Sequence, residues 1–312
     1  MKSLIFILIA LFCEKNAKAT NAELDIQGCL KLLEDNDRTS IQCFEKIVKN
    51  SKKNILHEKI LAAAYLKFKA YDKAVARCNN LIKDDAKGAD QYYQMRANAY
   101  SGLKKYNLAV QDISTLINKS TIKDKTYISS LYYQRSVFHQ LMKKPNLNYA
   151  DQKTASDMLV EEKNITNDRT LSTINQQMPS SEKIRFNIHF SACSNAYFIA
   201  RYAESAVFCN RAISAYKNNS DAKILNLMNY SYLEDMVNAE KTLNSLSDVK
   251  SFNSDTAKAL FYSFRFKVKQ EQKDLSLAKY YLDLSEKTSI LDDEKKIYNN
   301  ISVKIKQNIA SR

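Results

Sequence analysis

Small, aromatic and large apolar residues return along this chain at the three-to-four-residue spacing of amphipathic helices, and the pattern itself repeats. The segment Ala62-Ala63-Ala64-Tyr65-Leu66-Lys67-Phe68-Lys69-Ala70-Tyr71-Asp72-Lys73-Ala74 aligns with Ala97-Asn98-Ala99-Tyr100-Ser101-Gly102-Leu103-Lys104-Lys105-Tyr106-Asn107-Leu108-Ala109 at an offset of 35 residues, matching at Ala, Tyr, Tyr and Ala. Farther on, Tyr202, Cys209 and Ile213 reproduce the spacing of Tyr71, Cys78 and Ile82. The elements implied are pairs of helices joined by short polar turns. With only 3 Gly and 2 Pro in 312 residues, turn-dense all-β folds and Gly-rich phosphate loops are excluded, because both need special φ values at many places.

This pattern resembles the tetratricopeptide repeat, a helical hairpin of about 34 residues. In that register Ala62 and Ala97 take position 8, Tyr65 and Tyr100 position 11, Tyr71 and Tyr106 position 17, and Ala74 and Ala109 position 20. Small residues at 8 and 20 let the two helices of a unit approach closely, and the aromatics fill the space beside the turn. A degenerate first unit starts near Asp25, with Gly28 at position 8, Phe44 at 24 and Ile47 at 27. Weaker units carry Tyr132, Ser136 and Ala150, with about two residues added at the turn near Pro145; then Cys193, Ala196, Tyr202, Ser205 and Cys209; then Tyr230, Met236, Ala239, Leu243 and Leu246; then Tyr262, Phe266, Ala278 and Leu282. The resemblance implies an all-α right-handed solenoid of about six such units, closed by an amphipathic capping helix over Asp292 to Ile309. The proline the family expects at position 32 is missing throughout.

The domain organisation read from the sequence has four parts. Residues 1–19 read as a signal peptide: Lys2, the apolar run Leu4 to Phe12, and the small-x-small site Ala17-Lys18-Ala19. Nine apolar residues are too few to span a bilayer, which needs about 20, so no transmembrane segment is expected in the mature chain. Cys13 is a poor lipidation site because bulky Phe12 precedes it. Residues 20–159 form an N-terminal repeat lobe and 184–312 a C-terminal one with the capping helix. Between them 160–183, rich in Asn, Thr, Ser and Gln, reads either as a hinge or as a long surface insertion. The chain is thus expected to be exported, periplasmic or extracellular.

Signals for chemistry are missing. His57, His139 and His189 are scattered, no Cys-x-x-Cys occurs, and three isolated glycines cannot build a phosphate loop. The expectation is therefore no enzyme activity, no cofactor and no metal. The cysteines say more. In the inferred register Cys29 and Cys43 sit at positions 9 and 23 of one hairpin, and Cys193 and Cys209 at 8 and 24 of another. Both pairs lie at equal distance from their turn and face each other as disulfide candidates, with buried thiols as the alternative. Cys78, opposite Ala62, has no partner of this kind.

Composition then adds a charge. The chain carries a net +14, or +12 without residues 1–19. Nucleic acid fits the sign but not the export, so no nucleic acid is expected as a partner; an anionic envelope surface or polymer, or a merely solvated lysine-rich face, remain open. The family resemblance implies protein or peptide binding in a concave groove lined by first helices. Positions 2, 5, 9, 12 and 13 of those helices hold Gln94, Asn98 and Ser101, then Tyr133 and Gln140, then Phe190, Ser194, Tyr197 and Phe198. An alternative packs Phe190 and Phe198 against 160–183. The clamp for acidic C-termini known in the family matches at Lys59 alone; Ala63, Met95, Ser130 and Gln134 fill its other places. The leading function is a scaffold or adaptor, with an effector whose basic surface engages anionic polymers or membranes as the alternative.

Overall fold

A computed structural model describes residues 21–51, 54–119, 124–160, 181–216, 219–246, 255–269 and 271–287, and parts of 302–310. Residues 1–19, expected to be a signal peptide and including Cys13, most of the polar stretch 160–183 and the start of the expected capping segment lie outside the described residues. Among the described residues there are fourteen α-helices and no strand: α1 Asn21–Glu34, α2 Thr39–Asn50, α3 Ile55–Lys67, α4 Tyr71–Asp84, α5 Ala89–Gly102, α6 Tyr106–Lys119, α7 Lys125–Leu141, α8 Pro145–Val160, α9 Ser181–Phe198, α10 Tyr202–Ala215, α11 Ser220–Tyr232, α12 Met236–Asn244, α13 Asp255–Lys269 and α14 Gln272–Lys287.

The chain divides into two compact units, Met1–Ser180 and Ser181–Arg312. The first holds four hairpins, α1/α2 to α7/α8, and the second three, α9/α10 to α13/α14. That makes seven among the described residues, against the expectation of about six. Within each unit every helix packs on the one before and the one after it, and first helices of neighbouring hairpins also meet, α3 with α5, α9 with α11 and α11 with α13. First helices therefore share one face of a unit.

The turns explain why two helices follow one another so closely. Asn36, Lys69, Lys104, Lys143, Ala200 and Glu234 all have φ between 56° and 61°. At the second hairpin the Lys69 N–H donates to the Leu66 carbonyl and the Ala70 N–H to the Tyr65 carbonyl, after which α4 begins at once. The same pair of bonds recurs at Lys104/Lys105, Lys143/Lys144 and Ala200/Arg201, and it is the left-handed helix ending that satisfies the last carbonyls. None of the chain's glycines takes a positive φ.

Small residues bring the helices of a hairpin together as the register requires. Ala62, Ala74, Ala97, Ala109 and Cys193 are fully buried, and the buried Ser205 hydroxyl donates to the Cys193 carbonyl at 2.8 Å. The fourth hairpin corrects one reading. Its turn has no added residues, since α8 starts two residues after Lys143 just as α4 starts two after Lys69. Asn148, not Ala150, therefore faces Ser136; Asn148 is buried and Ala150 exposed. A polar residue at the small-residue position hid the true register. At the other end of the chain, Ile305 is fully buried in the core of the second unit, with Ile309 against it.

Candidate functional site

The residues expected to line a groove fall on α5 and α7 of the first unit and on α9 of the second. On α5, Gln94 is half-buried and Asn98 exposed; on α7, Tyr133 is half-buried and Gln140 exposed. Asn98 and α7 are brought together, because the Gln134 side-chain amide donates to Asn98 Oδ1 at 2.8 Å. On α9, Phe190 and Ser194 are half-buried and Phe198 is 52% exposed.

Tyr197 departs from the expectation. It is 7% exposed and stands among Tyr202, Tyr232 and Phe198 with ring centroids 5.6 to 6.0 Å apart. Burial pushes its hydroxyl well above the ordinary tyrosine range. The ring is a core element, withdrawn from any ligand because Tyr232 of the next hairpin covers it and stacks on Tyr202 at 4.3 Å. Phe190 stacks on Phe186 at 5.4 Å, and Phe186 meets Tyr216 edge-on at 5.8 Å. Its alternative partner, the stretch 160–183, lies largely outside the described residues.

A concavity of about 440 Å³ opens between the first two hairpins and is lined by Arg38, Thr39, Gln42, Glu45, Tyr65 and Lys73 among others. Three of its polar groups, Glu45, Tyr65 and Lys73, are bonded to one another. The Tyr65 hydroxyl donates to Glu45 at 2.6 Å and Lys73 Nζ at 3.0 Å, which holds the Glu45 carboxyl below its usual range, while burial pushes the Tyr65 hydroxyl up to about 12.

Inter-helix ion pairs were the feature missed by sequence reasoning. Arg96 makes two bonds to Asp112, at 2.9 and 2.6 Å, and a third at 2.7 Å to Asn79 of the preceding hairpin. Arg135 repeats this with Asp151, at 2.8 and 2.7 Å, and with Ser114 of the preceding hairpin at 2.9 Å. Both pairs are Arg and Asp 16 residues apart, a signal that the sequence did contain. In the second unit Asn226 takes the arginine's place and donates to Asn210 at 2.8 Å.

Both expected cysteine pairs lie at disulfide distance, Cys29–Cys43 with Cα atoms 5.6 Å apart and Cys193–Cys209 with 5.1 Å. Cys78 is a free buried thiol that burial pushes up to about 12. Lys59 of the would-be clamp is occupied by Asp85 at 3.8 Å and by the Tyr92 ring. Asn229, within an Asn-x-Ser/Thr sequence, is fully buried. Among the described residues no group of three or more His, Cys, Asp or Glu is placed to hold a metal ion. No helix among them is long and apolar enough to cross a membrane.

No family model matches the chain, and no curated protein does. Solved structures do. The C-terminal part of a TPR repeat-containing protein from Cytophaga hutchinsonii matches at TM-score 0.58 and 11% identity, over 88% of this chain and 98% of that one. A tetratricopeptide repeat protein from Parabacteroides merdae matches at TM-score 0.48 and 14% identity, over 90% and 98%. With the hairpins, their turns and the interlocking small residues, the likeness to the Cytophaga hutchinsonii structure establishes that the chain has the all-α tetratricopeptide-repeat fold.

Proposed function

We propose that the protein is a non-enzymatic interaction scaffold that works outside the cytoplasm and holds a peptide or partner protein against the first helices of its hairpins. The observation that carries this reading is the contrast on α5 and α7. Their buried ionic groups are spent on holding hairpins together, whereas Gln94, Asn98, Tyr133 and Gln140 stay partly or fully exposed on the face shared by first helices. Amides that both donate and accept, beside a rigid aromatic, suit an extended backbone with a few apolar anchors. The two cysteine pairs support an oxidising compartment.

The test uses photo-crosslinking residues placed at Gln140 or Asn98, and at exposed Asn80 on a second helix as control. Adducts from the first two positions and not the third are expected. Tyr133→Ala with Gln94→Ala should then weaken capture of the crosslinked partner more than tenfold, about 1.4 kcal/mol, with the thermal midpoint nearly unchanged. Adducts of equal yield at all three positions would refute the groove.

A further inference from the structure

We infer that the intra-hairpin turns of α3/α4, α5/α6 and α7/α8 form a basic, leucine-studded edge that docks the first unit onto an anionic lipid bilayer. This goes beyond the groove reading and does not depend on it.

The charge is concentrated at one end of three successive hairpins. Over residues 66–73, 101–109 and 140–148 there are seven lysines and one acidic residue, Asp72. Lys67 and Lys73 are tied down, Lys67 to the Leu33 carbonyl and Lys73 to Glu45. Lys69, Lys104, Lys105, Lys143 and Lys144 are all exposed. The opposite end of the same helices is different, with Asp84, Asp85, Asp90 and Asp124 interleaved among its lysines. The turn of the first hairpin carries Glu34, Asp35 and Asp37, so the basic edge stops there.

Packing puts these turns side by side. The Tyr71 ring, at the start of α4, lies against Gly102 at the end of α5, where an added Cβ would stand 2.3 Å from the ring. That contact fixes the Lys69 turn next to the Lys104 turn. Tyr106, just after the Lys104 turn, belongs to the same apolar cluster as Phe138, three residues before the helix end that precedes Lys143.

Two further observations bear on these turns, and the second points to a bilayer in particular. Lys69, Lys104 and Lys143 each occupy a left-handed position, φ 61°, 58° and 56°, where a side chain costs an L-residue roughly 1–2 kcal/mol and glycine is the usual choice. Asn36, Ala200 and Glu234 hold the same position in other turns, so what sets these three turns apart is the lysine and not the backbone. Beside them stand Leu108, Leu141 and Leu147, at 37%, 49% and 48% exposure, each within three residues of Lys105, Lys143 or Lys144. A soluble polyanion would use the lysines alone. Lysines at headgroup level with leucines projecting among them match an interface whose surface is negative and whose interior is apolar.

The test is co-sedimentation of the protein with phosphatidylcholine vesicles, with or without about 30% phosphatidylglycerol. The readout is the anionic-minus-neutral difference, in which any lipid affinity of Leu4–Phe12 cancels. Neutralising Lys104, Lys105, Lys143 and Lys144 to Gln is expected to weaken anionic binding by more than about 100-fold, at ~1 kcal/mol per lysine. Neutralising Lys49, Lys83, Lys87 and Lys119, at the opposite end, should cost at least tenfold less. Leu141→Asn with Leu147→Asn should also weaken binding, at unchanged helicity and thermal midpoint. The proposal is overturned if the two lysine sets behave alike, if the wild type binds both vesicles equally, or if the leucine variant binds vesicles as the wild type does while soluble polyphosphate competes fully.

Discussion

Ala200 turns the chain with φ 59°, a value at which its methyl group crowds the following carbonyl and glycine would not. Ala200→Gly is expected to stabilise the protein by about 1 kcal/mol, the relief of that crowding exceeding the entropy glycine adds to the unfolded chain. The thermal midpoint of the second unit should rise by about 2–4 °C; no rise would mean the turn relaxes elsewhere. Gly102 demands the opposite. Gly102→Ala gains helix propensity of about 1 kcal/mol but drives a Cβ into the Tyr71 ring. A net loss of about 1 kcal/mol is expected, shrinking in a Tyr71→Leu background. His139 gives a pH dependence. It is buried, stands 3.5 Å from Asp151, and burial pushes its pKa down against the pull of that carboxylate, with Arg135 and Lys144 acting in the same direction as burial. The unfolded imidazole titrates near 6.5. Below that pH the unfolded chain takes up a proton that the folded one resists, so stability present at neutral pH is lost as pH falls. His57, also lowered by burial, acts the same way. The drop in urea midpoint between pH 7.5 and 5.5 should be smaller in His139→Gln than in wild type, and an equal drop would exclude His139 as its source.

Arg96 and Arg135 tie together the two helices of their own hairpin through Asp112 and Asp151, and reach the preceding hairpin through Asn79 and Ser114. Asp151 is 8% exposed and Arg135 20%, so removing the cation leaves a poorly hydrated carboxylate. Arg135→Ala should cost about 2–4 kcal/mol, and Arg135→Lys more than half of that, because an ammonium cannot reproduce two bonds to Asp151 and one to Ser114. Lys153→Ala, which breaks an i,i+4 pair about half exposed on each side, should cost under about 0.5 kcal/mol. Urea midpoints of the three variants give the ranking, and equal effects would refute it. Sequence showed this scale unevenly. Ala62, Tyr65, Tyr71 and Ala74 make the second hairpin legible because small and aromatic residues stand at the repeat's marker positions there. In the fourth, Ser136, His139 and Asn148 take the places of Ala62, Tyr65 and Ala74, and Gln152 that of Cys78, all of them buried. Polar residues at packing positions carry no hydrophobic signal, which leaves Ala150 as the nearest small residue in the sequence. Tyr197 was misplaced for a related reason: periodicity sets which face a side chain leaves from, but not that Tyr232 of the next hairpin lies over it.

At the scale of the molecule, each unit has its own core and its own cross-hairpin cysteine pair. Apolar clusters running from Ile26 to Ala99 and from Ala97 to Phe138 lie in the first, and one from Tyr197 to Ile305 in the second. Cys29–Cys43 belongs to the first and Cys193–Cys209 to the second. Sequence separations of 14 and 16 give a stabilisation of roughly 3 kcal/mol each in the chain-entropy model. Cys78, fully buried and pushed up to about 12, stays a protonated thiol at neutral pH and is a poor nucleophile for exchange with either pair. Residues 20–180 and 181–312 produced separately should therefore each melt cooperatively, and mass analysis without reduction should show one intact link in each. Native alkylation should leave Cys78 unmodified, and denaturation should expose it. Cys29→Ser with Cys43→Ser should lower the midpoint of the first fragment only, and Cys193→Ser with Cys209→Ser that of the second. A fragment that fails to fold, or a link that includes Cys78, would show that the two cores are not independent or that the hairpin register is wrong.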